Sequence, residues 1–233
     1  MGRWPARPSI SAIRSSRGRR ALNGSSGCAE PRTAQAGCRL LARAELPADT
    51  VSLARDLIGK ILVRKLAEGV TSGRIVETEA YVVGDAAGHA YQGMTPRNRS
   101  LFLERGYTYV YLVYGSSYIL NVSSEIPGIG AGVLIRALEP RDGIPIMRRN
   151  RHTEQLRDLA RGPGRLTAAL RIDCRLDGLD LCQEGPLWLG RDDLDPGEIG
   201  QSIRIGIARE ANRLLRFYVR GSPFVSGPRL LKE

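Results

Sequence analysis

The order of predicted strands is the feature that most restricts how this chain can fold. Strand-like segments succeed one another before either of the longer predicted helices appears. They are 60–66, 72–82, two arms of a hairpin within 107–125, and 131–140, and two more follow the helices at 202–208 and 215–221. Strands that adjoin strands favour an α+β fold with a largely antiparallel sheet.

Helices are predicted at four places. Two longer ones are expected around 142–151 and 163–171, each entered beside Gly or Pro. A short helix follows Asp49 or Thr50, either of which can cap it. Another is expected in "TPRNRSLFLE", with Thr95 as its cap. We therefore expect a single α+β domain with a curved, largely antiparallel sheet, flanking helices and a protruding β-hairpin.

Residues 1–43 differ in composition from the rest of the chain. They contain nine arginines and one acidic residue, a net charge of +8 out of +11 for the whole sequence. Because this segment has no apolar periodicity, we expect residues 1–43 to be a disordered basic tail. The folded domain is assigned to residues 44–233. An organellar transit peptide or a start codon assigned too far upstream fits the composition equally well. No apolar run of about 18 residues predicts a membrane span.

One strand carries two glutamates where an apolar face is normal. In "RIVETEAYV" a period of two places Ile75, Glu77, Glu79 and Tyr81 on one face and Val76, Thr78, Ala80 and Val82 on the other. The β-branched face is expected to join the core. The other face is either a solvated outer surface or the lining of a cleft, where a carboxylate is available as a general base. The pattern leaves both alternatives open.

Tyrosines are concentrated in the predicted hairpin. Five of the eight lie between 107 and 118. Core packing explains most of them, because aromatic residues are good strand formers. Tyr114, beside Gly115 at the turn, has little core to join. An exposed aromatic ring there is typical of a wedge inserted between base pairs.

Seven collinear blocks between about residue 48 and residue 228 resemble the alkyladenine (3-methyladenine) DNA glycosylases of the mammalian type. The blocks are "RIVETEAY", "TPRNRS.F", "YVYLVYG", "LNVSSE", "VLIRALEP", "RGPGRLTAAL" and "RFYVRGSPFVS". The resemblance implies a monofunctional enzyme of base excision repair. Such an enzyme flips an alkylated purine out of duplex DNA and hydrolyses its N-glycosidic bond. It implies 3-methyladenine as the substrate and leaves 7-methylguanine and hypoxanthine open.

The resemblance also assigns roles to residues. Glu79 would be the general base that activates water, and Arg136 and the backbone carbonyl of Ile205 would hold that water. The flipped base would stack on the rings of Tyr81, His89 and Tyr111. Asn121 would lie at the pocket wall and screen the substituents of the base. Tyr114 would be the wedge that fills the gap left in the DNA stack. Glu77 is expected to have a structural role, such as pairing an arginine.

Four arginines are candidates for phosphate contacts at loops and helix N-termini: Arg97, Arg99, Arg161 and Arg165. Two histidines and no CxxC pair exclude a zinc-ligand spacing, so neither metal nor cofactor is expected. Lysine is scarce, with only Lys60 and Lys65 before Lys232, which disfavours a Schiff-base lyase.

The expected partner is double-stranded DNA that contains damaged purines, bound by a monomer with no membrane association. The compartment would be the cytoplasm or nucleoid of a bacterium, or the nucleus or an organelle of a eukaryote. Two alternatives from other classes are a non-catalytic nucleic-acid-binding module and a metal-dependent nuclease. The first leaves the Glu79 face unexplained, and the second needs clustered acids.

Overall fold

The computed structural model describes residues 37–228. The strands are β1 (Arg39–Leu40), β2 (Ile61–Leu66), β3 (Gly69–Tyr81), β4 (Thr108–Val113), β5 (Ser117–Ser123), β6 (Gly132–Pro140), β7 (Leu187–Arg191), β8 (Ile199–Ser202) and β9 (Arg216–Val219). The α-helices are α1 (Thr50–Asp56), α2 (Ile144–Arg151) and α3 (Pro163–Ala169). Short 3₁₀ helices span Arg43–Glu45, Arg99–Phe102, Leu156–Asp158 and Cys174–Leu176.

All strand pairs in this part of the chain are antiparallel, in the order β1-β7-β2-β3-β6-β5-β4, with β9 joining β3 and β8. The α+β fold with a largely antiparallel sheet is confirmed. The 13-residue strand β3 is its centre, because β6 pairs along one edge while β2 and then β9 pair along the other.

The main core lies between the sheet and the helices. Helix α1 begins at Asp49, whose carboxylate accepts a hydrogen bond of 2.8 Å from the Ser52 amide and so caps the helix. Its buried residues Leu53 and Ala54 pack towards β3, where the Thr78 hydroxyl donates to the Ala54 carbonyl at 2.7 Å. α2 and α3 pack on the same core and occupy the positions predicted for them.

A β-bulge changes the predicted faces of β3. In the register with β6, Ile75 pairs Leu138, Glu77 pairs Ala137 and Thr78 pairs Ile135, so Val76 on β3 and then Arg136 on β6 have no opposite residue. Ile75 consequently joins the main core, and Val76 packs on the opposite side with Tyr218. The assignment of Ile75 to the glutamate face and Val76 to the core face was wrong, because strict alternation cannot reveal a bulge.

Two predicted segments need correction, and one strand was missed. Residues 95–98 form a turn closed by the Asn98 side chain, which accepts from the Thr95 amide at 2.6 Å, and the 3₁₀ helix begins only at Arg99. Strand β8 ends at Ser202 rather than spanning 202–208, because Arg204 and Ile205 make their contacts outside the ladder. Strand β7 was not predicted at all.

The fold begins earlier than residue 44. Strand β1 pairs with β7, and Cys38 and Leu41 are buried. Assigning all of 1–43 to a tail was therefore wrong at its C-terminal end, because an arginine-rich composition concealed these apolar residues. The rest of the predicted tail, 1–36, lies outside the described residues. No helix between residues 37 and 228 is long and apolar enough to cross a membrane.

Candidate active site

Glu79 and Glu77 are both completely buried on β3, which excludes the solvated outer face. The Glu79 carboxylate accepts a hydrogen bond of 2.7 Å from the Ile205 amide and one of 3.0 Å from the Tyr81 hydroxyl. Arg136 Nη1 lies 3.2 Å from the same carboxylate. Ile205 thus contributes its N–H to this carboxylate, while the role predicted for its carbonyl stays a prediction. These donors leave Oε2 with one free lone pair.

The electrostatics of Glu79 suit a base. Burial raises its pKa above the ordinary carboxyl value, against the opposing effects of Arg136, the Ile205 amide and the Tyr81 hydroxyl. Burial would lower the pKa of Arg136, but Glu79 and Glu77 outweigh it and raise that pKa. A base whose pKa approaches the working pH accepts a proton more readily.

Glu77 is held differently. Its carboxylate accepts three hydrogen bonds: 2.7 Å from Arg216 Nε, 3.1 Å from Arg136 Nε and 2.7 Å from the Ser226 amide. Burial would raise its pKa, but Arg136 and Arg216 outweigh that effect and lower it. Two guanidinium groups and a backbone amide hold this carboxylate, which supports the structural role predicted for Glu77. Arg136 bridges the two glutamates.

A cavity of about 450 Å³ adjoins Glu79, because Tyr81, Arg136 and Ile205, which contact its carboxylate, belong to the cavity lining. The predicted pocket residues that line it are Tyr81, His89, Tyr111, Asn121 and Ile205, together with Arg136 and Tyr114. Residues from six separate segments are therefore brought together, as the resemblance implied. Glu79 is buried beneath the floor that Tyr81, Arg136 and Ile205 form.

The aromatic wall is preassembled. The ring centroids of His89 and Tyr111 are 4.4 Å apart, and those of Tyr109 and Tyr111 are 5.1 Å apart. His89 Nδ1 shares a hydrogen bond of 2.9 Å with the Tyr109 hydroxyl. Partial burial and the charge of Arg97 lower the pKa of His89, which favours the neutral form of its ring.

Tyr114 protrudes at the tip of the β4–β5 hairpin with 93% of its surface exposed. Its φ is +50°, and that of Gly115 is +67°, as the tight turn requires. A left-handed conformation costs a residue with a Cβ atom about 1–2 kcal/mol. An exposed and strained tyrosine beside a cavity indicates a functional constraint rather than packing.

Comparison with known proteins agrees with this geometry. The family model for methylpurine-DNA glycosylase matches residues 44–223. The chain belongs to this family. A Mesorhizobium japonicum protein, named as a candidate 3-methyladenine DNA glycosylase, is 76% identical over 83% of this chain and 93% of its own length. Human DNA-3-methyladenine glycosylase is 44% identical over 76% of this chain and 64% of its own length.

Membership of the methylpurine-DNA glycosylase family makes the chain a DNA repair enzyme of the N-glycosylase class. Sequence reasoning missed two sets of buried residues that support this site. The Asp85 carboxylate pairs with Arg204 behind Tyr81, and Arg216 pairs with Glu77. Asn98 Nδ2 donates to the His89 carbonyl at 2.8 Å. A charged residue alone inside an irregular segment was the available signal, but its partner is distant in sequence.

The four arginines predicted to contact phosphate differ in their exposure and in their contacts within the protein. Arg99 and Arg165 are exposed, although Arg165 also pairs with Asp158 at 3.0 Å. Arg97 is exposed and donates to the Leu112 carbonyl at 3.2 Å. Arg161 is half-buried and donates through Nε to the Val225 carbonyl at 2.9 Å, so it has a structural contact as well. Their DNA contacts stay predictions.

Proposed function

We propose that this glycosylase removes alkylated purines from double-stranded DNA by hydrolysis, with Glu79 as the general base. The observation that carries the proposal is the buried carboxylate beneath an aromatic cavity. The free lone pair of Oε2 is the site at which an attacking water would deliver its proton. Arg136 and the carbonyl of Ile205 would orient that water. The carboxylate would also stabilise the cationic sugar that forms as the bond breaks.

The flipped purine would occupy the cavity between Tyr81, His89 and Tyr111, with Asn121 at the wall. Electron-rich rings attract cations, so a base made cationic by alkylation would bind better than a neutral purine. Such bases also leave without prior protonation. Hypoxanthine leaves as a neutral base and would need a proton, and the cavity offers no evident general acid for it.

The enzyme would act without forming a covalent intermediate. Lys60 lies 3.2 Å from Asp56 and Lys65 is exposed, and neither lines the cavity. Lys232 lies outside the described residues. An amine nucleophile is needed for a Schiff base. Hydrolysis by water is therefore the favoured reaction, with no metal or cofactor. No group of three metal-ligating side chains occurs within 37–228.

The DNA backbone would run along a groove of about 850 Å³ next to the cavity. Pro163 belongs to both, and the groove is lined by Arg151, Arg161, Arg165, Arg171 and Arg175. Arginine and a helix N-terminus are typical phosphate contacts. Because one chain supplies the whole cavity, we propose that the enzyme acts as a monomer. It would work where DNA lies, in a bacterial nucleoid or in a eukaryotic nucleus or organelle.

Single-turnover assays on duplex oligonucleotides with one lesion test this function. We expect release of 7-methylguanine and 3-methyladenine, slower release of hypoxanthine, and none from the undamaged duplex. The strand should stay intact until alkali cleaves the abasic product. Failure to release any of these bases would overturn the proposal. A protein–DNA adduct trapped by borohydride would contradict the hydrolytic mechanism alone.

Tyr114→Gly is expected to change stability and excision in opposite directions. Glycine adopts φ > 0 freely, so the free energy of unfolding should be kept or raised by up to about 1 kcal/mol. Loss of the wedge should slow single-turnover excision about tenfold or more, because flipping costs a few kcal/mol that the wedge helps to offset. Excision at the wild-type rate would show that Tyr114 is not the wedge. Leu112→Ala, a change at the exposed face of β4, is the control.

A further inference from the structure

Two loops form walls of the cavity, and each contains one buried residue. In the His89 loop, residues 82–97, that residue is Asp85; in the Ile205 loop, residues 203–214, it is Arg204. The two side chains are each other's partners. We propose that the Asp85–Arg204 ion pair is a positioning latch that holds both walls in register with Glu79. The inference rests on the proposed function and concerns two residues to which no catalytic role is assigned, of which Asp85 belongs to the cavity lining.

The Asp85–Arg204 ion pair is buried and bidentate. Both side chains are completely buried, and both terminal guanidinium nitrogens of Arg204 donate to the Asp85 carboxylate, Nη2 to Oδ1 at 3.2 Å and Nη1 to Oδ2. A planar guanidinium on a carboxylate fixes the orientation of both groups. Asp85 Oδ1 also accepts 2.9 Å from the Ala87 amide, two residues before His89. The carboxylate therefore determines how the His89 loop leaves the sheet.

Arg204 connects the same pair to the catalytic strand. Its Nη1 donates at 3.0 Å to the carbonyl of Ala80, the residue between Glu79 and Tyr81. Its guanidinium carbon lies 4.6 Å from the centre of the Tyr81 ring. The next residue, Ile205, donates its amide to Glu79 at 2.7 Å. A displacement of Arg204 would therefore move both Tyr81 and a donor to the catalytic carboxylate.

The Ile205 loop has few other anchors. Its backbone–backbone hydrogen bonds after Arg204 are local, from Arg213 to Glu210 and from Leu215 to Arg213. Its other backbone contacts are the Ile205 amide on Glu79 and the Leu214 carbonyl, which accepts from the Gln201 side chain. Arg213 approaches Asp85 only to 3.9 Å, from an exposed position. A loop of this kind has no ladder to hold it against the sheet. Catalysis is sensitive to such placement, since a misplacement of about 1 Å far from the reacting bond can cost about 100-fold in rate.

Asp85→Asn tests the latch, because it keeps the shape and removes the charge. The groups that face the Glu79 carboxylate are Arg136 from β6, Glu77 and Tyr81 from β3, and the Ile205 amide. The substitution removes none of them but would displace the last. We expect single-turnover excision to fall about 10- to 100-fold with duplex binding retained. The acid limb of the pH profile should move to higher pH, because a carboxylate that loses a donor is protonated more easily.

Hydrogen exchange supplies a readout that does not depend on activity. The amides of the His89 loop and the Ile205 loop should exchange faster together in Asp85→Asn. The matched control is Asp192→Asn, which disrupts another nearly buried pair, with Arg74 at 2.7 Å, away from the cavity. It should lower the melting temperature and leave the acid limb and both loops unchanged.

The outcomes separate the latch from the proposed function. If Asp85→Asn keeps the wild-type acid limb and loop exchange, the latch is wrong even where the protein melts earlier. If Asp85→Asn does not fold, Arg204→Lys decides, because lysine keeps the charge and loses the fork. That variant should show the same shift of the acid limb. Absence of excision by the wild type would count against the proposed function, while the exchange measurement would still test the latch.

Discussion

Glu79→Gln is expected to reduce base excision by at least about 1000-fold while duplex binding remains, because general-base catalysis contributes about 10²- to 10⁴-fold and the carboxylate also stabilises the sugar cation. Glutamine fills the same volume; its oxygen can still accept from the Ile205 amide, while its NH2 group can donate to the Tyr81 hydroxyl. It cannot take a proton from water. Single-turnover excision and duplex binding should be measured on the same lesion-containing oligonucleotide.

The matched control is Glu139→Gln, the same chemical change on the neighbouring strand β6 and outside the cavity. It should excise at close to the wild-type rate. Excision by Glu79→Gln within about tenfold of the wild type would remove Glu79 from the mechanism, since that loss is smaller than a general base contributes. If neither the wild type nor Glu79→Gln releases any base, a non-catalytic nucleic-acid-binding module would be the better interpretation of the protein's function.

Glu77→Gln is expected to lower the free energy of unfolding by about 3–5 kcal/mol, because removing one member of a buried ion network leaves uncompensated charge. Arg216 and Arg136 both depend on this carboxylate, and neither side chain has more than 8% of its surface exposed. Urea unfolding at pH 7 measures the loss. A change below about 1 kcal/mol, as for a surface pair, would contradict the structural role.

The same carboxylate predicts a pH dependence of stability. Its pKa is lowered in the folded state, so its contribution is present above the unfolded value of about 4.3 and is lost as the pH falls through the folded pKa. The wild type should therefore lose stability below that value more steeply than Glu77→Gln. Equal slopes for the two proteins would be the contrary result. Glu139→Gln, the same chemical change on β6, is the control.

Local patterns singled out part of the site, and the family resemblance implied the rest. Glu79 and Tyr81 follow strand alternation C-terminal to the bulge, where the alternation holds. Tyr114 is recognisable beside a turn glycine, and Asp49 at a helix start. The bulge at Val76 could not be predicted, since it depends on how β6 pairs with β3. The ends of β8 could not be predicted either, because the strand ends where the following residues contact other parts of the protein and leave the ladder.

By itself, the sequence determined that the sheet is largely antiparallel and that the hairpin tip is exposed, because side-chain alternation and turn residues act over a few positions. The family resemblance implied which residues meet in the cavity. Only the tertiary structure decided which partners hold each of the two carboxylates. Glu77 meets Arg216 across 139 residues, and Asp85 meets Arg204 across 119. Charges so far apart in sequence acquire their partners, and their pKa values, only when folding buries them together.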